Sequence, residues 1–577
     1  MAFMDTVFRR RAADGLSKDV KVDPSAKNIP AEPARKAAPG GSKLYRWSFI
    51  IHKWAGLAGF AWLAVLGVTG FLMDHDEWRW MQQAKAPALL TPADLKEFAS
   101  RNVVRLHQID PSSPMDRVSG GPRGLWFSHD AGANWSATAF SDGDHPQVYA
   151  VTPDPTLGWG RLWFATDNGV YRSLDKGATA AQAGLRGEHV TSIAASDRPD
   201  HLFAVIDRSR VLRYSTADQK TEEVALAPLD KKTRPPQVDL IHFVHDLHFG
   251  RAFFGPLTSL VMNDIGGLGM LVLSITGLLY WALPKYWKAQ GKSAERTSKA
   301  TKKTTIKWLF NMHSPTIGLV SAVMLLYLSV TGVLLGHGRE LLMWMRMVQV
   351  PQAYLTPAFG MTSWDGWIES IVAYPDAPGV FTIGSRIGMF TTADGGETFA
   401  REEDAKGQPI VAATKLRRLG DKVLVANGMA GPSTIRPDDR VQEIIAAPEK
   451  SRMLGVGGPG MGARPPAPPE GMDHKKKLGM GGMEGMFMPT DVTQMGDKLL
   501  WKSSNKFFVT DAEGRSLESF EINQPNDEGV PWFNWILRLH MGTLFWSEWK
   551  WINDIFAIGV VFLTCTGLIR WWRRKWA

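Results

Sequence analysis

Six histidines stand at the ends of apolar runs, and their spacing repeats. His52 opens a run that ends Val68-Thr69-Gly70, with His75 five residues beyond that glycine; His313 opens a run that ends Val330-Thr331-Gly332, with His337 at the same offset. A second phrase, Leu247-His248-Phe249-Gly250, leads to Asn263-Asp264-Ile265 and then Thr276-Gly277-Leu278. Its copy, Leu539-His540-Met541-Gly542, leads to Asn553-Asp554-Ile555 and Thr566-Gly567-Leu568. Ionisable side chains at membrane depth are costly and mark function. Imidazoles offered from opposite sides of a helical bundle can take both axial positions of a haem iron. His52, His75, His248, His313, His337 and His540 are therefore read together as haem ligands. A lone histidine at a helix end more often bonds a headgroup or a carbonyl, and ancestry alone preserves spacing after a duplication. The cost of keeping six imidazoles near lipid decides for ligation.

His52 and His75 are 23 residues apart, about 34 Å of helix at about 1.5 Å per residue. That is roughly one bilayer core, so His52 and His313 form the natural inner pair, and His75, His248, His337 and His540 lie at the outer side. The outer four allow His75–His337 with His248–His540, or His75–His248 with His337–His540, and the sequence does not choose. His242 and His245 have no counterparts in the second copy, so they are surface residues or contacts to an outer substrate. The glycines of these runs (Gly56, Gly59, Gly67, Gly70, Gly269, Gly277, Gly318, Gly332, Gly559 and Gly567) serve either porphyrin approach or close helix packing. Asn263-Asp264 and Asn553-Asp554 open apolar runs and read as helix caps, with a proton path to the outer haem as the alternative.

One cysteine, Cys565, excludes an internal disulfide, covalent c-type attachment, a cysteine-held iron–sulfur cluster and a cysteine zinc site. The cofactor expected is haem b, two per chain, with three as the upper count.

These residues need membrane helices to position them. Four stretches reach the roughly 20 apolar residues that a bilayer requires: about 49–73, 264–283, 315–336 and 552–570. The expected order is a disordered tail over 1–42, a first span within 43–75, a β region over 76–240 and a second span with a preceding short helix over 241–284. A basic loop over 285–307, a third span over 308–337, a second β region over 338–530 and a last span with a basic end over 531–577 complete it. Lys and Arg crowd the tail, the 285–307 loop and the C-terminus, which the positive-inside rule places in the cytoplasm with both large regions periplasmic. The net charge of +9 is thus a topology signal and not a nucleic-acid footprint. A polar tail of more than forty residues before the first span argues against a cleavable signal peptide.

Both large regions read as short β-prone runs between turn residues. Ser128-His129-Asp130-Ala131-Gly132-Ala133-Asn134-Trp135 and Thr392-Ala393-Asp394-Gly395-Gly396-Glu397-Thr398-Phe399 share an Asp-box pattern, with Ser173-Leu174-Asp175-Lys176-Gly177 a shorter copy. Such a hairpin is a structural turn. At about 40–45 residues per propeller blade, each region supplies three or four blades, joined in one assembly or, nearly as well, as two separate domains. Residues 452–488 are Gly-, Pro- and Met-rich; His474 with Met480, Met483, Met486 and Met488 forms a candidate soft site for Cu(I), against a plain linker.

A histidine opening a first span, Thr-Gly near its end, Leu-His-x-Gly, and a second span ending Thr-Gly-Leu-x-x-Trp resembles the PepSY-associated transmembrane family. That resemblance covers the four spans and implies inner-membrane haem b proteins, among them ferric-siderophore reductases. The Asp-box regions depart from an ordinary PepSY domain. The reading is a bacterial inner-membrane protein: a four-helix bundle from two tandem two-helix repeats, bearing two periplasmic all-β, propeller-like regions. It would pass electrons from a quinol or a separate flavin reductase to a ferric chelate or an electron-transfer protein, with cupric copper second. No Gly-x-Gly-x-x-Gly fingerprint opens a helix to hold a dinucleotide. The alternatives are a membrane-anchored β module within a larger envelope complex, and a transporter, which the parallel repeats disfavour.

Overall fold

The computed structural model describes residues 43–576 apart from 102, 197, 199, 292–297, 375–376, 404–409, 411, 420–421, 427–432, 437–440, 445–488, 504–505, 512–515, 522, 524 and 526–528. The methionine-rich stretch with His474, Met480, Met483, Met486 and Met488, and the tail over 1–42, lie outside the described residues. Chain contacts divide the molecule at Trp47, and Ser48 onward forms one unit.

The apolar runs form helices α1 (Lys43–Asp74), α3 (Pro256–Ala289) and α7 (Lys550–Trp576); each is long and apolar enough to cross a membrane. Two nine-residue helices, α2 (Leu240–His248) and α6 (Trp532–His540), each end on a histidine. The third run departs from the single helix expected. It is α4 (Lys299–Asn311), a π-helical turn over Met312–Gly318 and α5 (Ala322–Gly336), bent by 63°. The bend lies between Gly318 and Ala322, directly after the π turn, and Pro315 inside that turn lacks the N–H that a regular helix would use. Leu63 of α1, Met270 of α3, Leu325 of α5 and Val560 of α7 meet in one apolar cluster. At the α1–α3 crossing, a Cβ on Gly67 would stand 2.5 Å from the carbonyl oxygen of Gly267, so these glycines serve close packing.

Among the described residues the two β regions build six meanders of four antiparallel strands, the second extended by a short parallel strand, Ala139–Phe140, and one two-stranded sheet that pairs Gln237–Asp239 with Gln349–Pro351. The first strands of the meanders are Leu106–Asp110, Val148–Asp154, Val190–Ala195, Ser370–Ala373, Lys415–Leu419 and Asp491–Met495. Neighbouring sheets touch in that order, and the last returns to the first. The product is a closed six-bladed ring, with three blades from each region, so the joint assembly prevails over two separate domains. Radial repetition leaves each blade only short, protected strand edges.

Asp491 is the clasp. One of its carboxylate oxygens accepts from the backbone N–H of His107 at 3.0 Å and from Gln108 Nε2 at 3.0 Å, while Thr493 Oγ1 accepts from the N–H of Ile109 at 3.0 Å. Arg417 Nε lies 3.1 Å from the other oxygen. The midpoint of the ring joins the halves through a mixed core, with Phe203, Val205 and Val211 from the third blade and Ile371, Phe381 and Phe390 from the fourth.

All three Asp boxes close the same turn, between third and fourth strands. Ser128 donates to Asp130 at 2.7 Å, Gly132 N–H donates to Ser128 Oγ at 2.9 Å, and Asn134 N–H donates to Asp130 at 2.9 Å. Ser173 with Asp175, Gly177 and Thr179, and Thr392 with Asp394, Gly396 and Thr398, repeat the set. The hydroxyl and the aspartate carboxylate of each turn are thereby engaged within the turn itself, which fits structure rather than catalysis.

Candidate functional site

Four of the six histidines come together as two pairs. His52 on α1 and His313 in the π turn have ring centres 6.0 Å apart at 88°. His248 and His540, the last residues of α2 and α6, have ring centres 6.4 Å apart at 64°. A metal–imidazole bond of about 2.0 Å, plus roughly 1.1 Å from nitrogen to ring centre, puts two imidazoles trans across one ion at about 6.2 Å. Both pairs stand at that spacing.

A threonine of the opposite repeat holds each ring. His52 Nδ1 lies 3.0 Å from Thr566 Oγ1, and His313 Nδ1 lies 3.1 Å from Thr276 Oγ1. His248 Nδ1 lies 2.9 Å from Thr331 Oγ1, and His540 Nδ1 lies 2.8 Å from Thr69 Oγ1. Each hydroxyl hydrogen is already spent on a carbonyl four residues back: Phe562 at 2.7 Å, Val272 at 2.6 Å, Tyr327 at 2.7 Å and Val65 at 2.7 Å. A hydroxyl has one hydrogen to give, so each threonine accepts from the ring and fixes the proton on Nδ1. His52 Nδ1 also faces the Leu563 carbonyl at 3.1 Å, which can only accept. The tautomer leaves the Nε2 lone pair of each ring free to accept a proton or to ligate, an arrangement of the kind that orients metal-bound imidazoles elsewhere.

The glycine after each threonine makes room for the ring. A Cβ on Gly567 would stand 3.4 Å from His52 Cε1, on Gly277 3.0 Å from His313, on Gly332 3.3 Å from His248 and on Gly70 3.5 Å from His540. The asparagines hold the short helices in place: Asn263 Nδ2 donates to the His248 carbonyl at 2.6 Å, and Asn553 Nδ2 to the His540 carbonyl at 3.1 Å. Gly250 (φ +59°) and Gly542 (φ +74°) then turn the chain back in the left-handed region that glycine favours.

A cavity of about 500 Å³ surrounds the His52–His313 pair, walled by Phe60, Leu63, Met270, Leu273 and Val560 and bordered by Lys53, Lys285 and Arg570. Thr69 is 17 residues along α1 from His52, about 25 Å at about 1.5 Å per residue. The two imidazole pairs are thus separated by about half the length of the 32-residue α1.

The PepSY-associated TM region family matches residues 49–574. The chain belongs to that family. No curated protein matches it. Among solved structures, an ancestral GH74 enzyme is similar at 10% identity and a TM-score of 0.29, over 73% of this chain and 38% of that one. YCF48 bound to a D1 peptide is similar at 9% identity and a TM-score of 0.27, over 66% and 69% of the two chains. This chain therefore spans less than half the length of the GH74 enzyme.

In this member of the family His75 and His337 sit apart from both pairs. His75 lies between Asp264 (3.3 Å from Nε2) and Glu77 (3.2 Å from Nδ1) and stacks on Trp78 with ring centres 4.5 Å apart. His337 Nε2 lies 2.7 Å from Asp554, and its ring lies beside Trp551. The structure brings together His248–His540 and not His75–His337, His75–His248 or His337–His540. The Asn-Asp pairs are also not caps. Helix α3 begins at Pro256, so Asn263 and Asp264 lie two turns inside it, and their side chains face the histidines rather than a helix end. Asn553-Asp554 enter α7 after Lys550 in the same roles.

Asp239 caps α2 by accepting from the His242 N–H at 3.0 Å, and His245 Nδ1 meets Asp246 at 3.2 Å. Sequence reasoning missed the four threonines as ring anchors, although the Thr-Gly phrases were the signal that could have found them. Among the described residues no group of three or more His, Cys, Asp or Glu is placed to hold a bare metal ion.

Proposed function

We propose that this protein is a b-type haem membrane oxidoreductase that carries electrons across the bacterial inner membrane to an acceptor on the propeller side. The observation that carries the reading is the two imidazole pairs, each ring fixed as its Nδ1–H tautomer by a threonine of the other repeat. His52 with His313 and His248 with His540 would hold two haems. Porphyrin-bound iron supplies one-electron exchange at each level of the membrane. The chain's own part is to fix the four rings, to line the inner site with apolar walls and to offer Lys53, Lys285 and Arg570 to carboxylates at its border.

The four spans form a bundle of two tandem repeats, with both termini cytoplasmic and the propeller periplasmic, as the Lys/Arg bias favours. A quinol or a separate flavin reductase serves as donor. A ferric chelate is the acceptor that the family likeness favours, and cupric copper the second. The test is a reduced-minus-oxidised spectrum of protein purified from haem-replete cells, with haem stoichiometry. Two haems b per chain are expected. Protein with no b-type signal would overturn the reading.

A further inference from the structure

Arg251, three residues beyond His248, is the starting point. Its guanidinium has no hydrogen-bond partner among the described residues, and the closest carboxylate oxygen, on Asp76, is 4.0 Å away. Its plane lies over Phe249 at 5.8 Å, and 30% of the side chain remains open. Two further arginines converge here from the propeller. Arg386, in a turn of the fourth blade, meets Asp246 of α2 at 3.1 Å and Glu369 at 2.7 Å. Arg208, in a turn of the third blade, meets the other oxygen of Glu369 at 3.6 Å. The nearby carboxylates of Asp246 and Glu369 are thus engaged by Arg386 and Arg208. Burial, with Arg208 and Arg386 as like-charged neighbours, holds the Arg251 pKa below its ordinary value. A guanidinium is a fork for planar anions, and among the described residues no carboxylate reaches this one at hydrogen-bond distance. The second repeat has Thr543 at the matching position after Leu-His-x-Gly, so ancestry does not account for the arginine.

We infer that Arg251, backed by Arg208 and Arg386, forms a carboxylate-binding site between the propeller and the His248–His540 pair. Carboxylates of that class have two sources, the propionates of a haem on that pair or a soluble polycarboxylate at the foot of the propeller. The propionate source rests on the haem reading above; the soluble source does not.

The test uses the full chain in nanodiscs, as wild type, Arg251→Gln, Arg251→Lys and Arg208→Gln, with melting temperature and the spectrum of the inner pair checking the fold. Citrate is titrated by calorimetry. Binding that weakens at least tenfold in Arg251→Gln, less in Arg251→Lys, supports the soluble source, and it reads out even in protein without haem. Absent citrate binding, a fall from two retained haems towards one in Arg251→Gln, restored in Arg251→Lys, supports the propionate source. Wild type that binds no citrate and an Arg251→Gln protein with unchanged haem retention would overturn the site.

Discussion

Replacing Thr331 by valine keeps the side chain close in shape and deletes the acceptor of His248 Nδ1–H, which lies 2.9 Å away. Among the described residues no other acceptor faces that nitrogen, so the N–H is left unpaired. An unsatisfied buried donor costs about 1–3 kcal/mol. Removing the outer-shell partner of a metal-bound imidazole typically lowers metal affinity about 10–100-fold, which converts to roughly 1.4–2.7 kcal/mol. The two routes agree. Thr566→Val at the inner pair should cost less, because the Leu563 carbonyl still accepts from His52 Nδ1 at 3.1 Å. Thr331→Ser keeps the hydroxyl and should stay near wild type. The assay is haem retention under competition with a haem-binding protein, read alongside the reduced-minus-oxidised spectrum. A Thr331→Val protein that holds its outer haem as tightly as wild type, or a Thr566→Val protein that is the more damaged of the two, would refute the tautomer argument.

Three further outcomes follow from named contacts. His52→Ala and His248→Ala should each lose one of two haems, whereas His75→Ala and His337→Ala should keep both, since their rings face carboxylates; pyridine haemochrome stoichiometry decides. Burial opposes ionisation of Asp491, but Arg417 and Lys415 outweigh it and hold its pKa below the ordinary carboxylate value. Its stabilising share is therefore full above about pH 4 and lost as pH falls through the lower folded value. Asp491→Ala should destabilise the ring by about 3–5 kcal/mol in denaturant melts. Burial lowers the Lys502 pKa from 10.5 to about 8. The unfolded chain then holds the extra proton between those values, so stability should rise from pH 8 to 10.5. Lys502→Met should flatten that rise in a pH series of melting temperatures.

The elements with strong local signals were legible. Apolar runs of sufficient length became helices, and the Asp boxes formed the turns their residue types require. What stayed hidden depends on long-range contact. The sequence offers no sign that Asp491 meets a backbone N–H 384 residues away and so closes a ring. The roles of the histidines were mixed for the same reason. His75 and His540 both look like boundary imidazoles, and only tertiary placement shows the first against Asp264 and the second against Thr69. The Asn-Asp pairs misled because capping chemistry is a local rule. Helix α3 instead begins at Pro256, a residue suited to a first helical turn, and carries the pair inward.

The repeat itself takes on a different meaning in the fold. Spacing shared by two copies is weak evidence of function, because duplication produces it without selection. The hydrogen bonds add a constraint that spacing alone does not carry. All four His–Thr contacts run between the repeats: His52 to Thr566, His313 to Thr276, His248 to Thr331 and His540 to Thr69. Both close imidazole pairs also take one ring from each copy. Neither copy therefore contains a complete site. A shift of one residue between histidine and threonine in either half would strand a ring in the other, at about 1–3 kcal/mol per unsatisfied donor. By contrast, His75–Asp264 and His337–Asp554 are closed within single copies. Complementarity between halves thus separates the four imidazoles that share two sites from the two that do not.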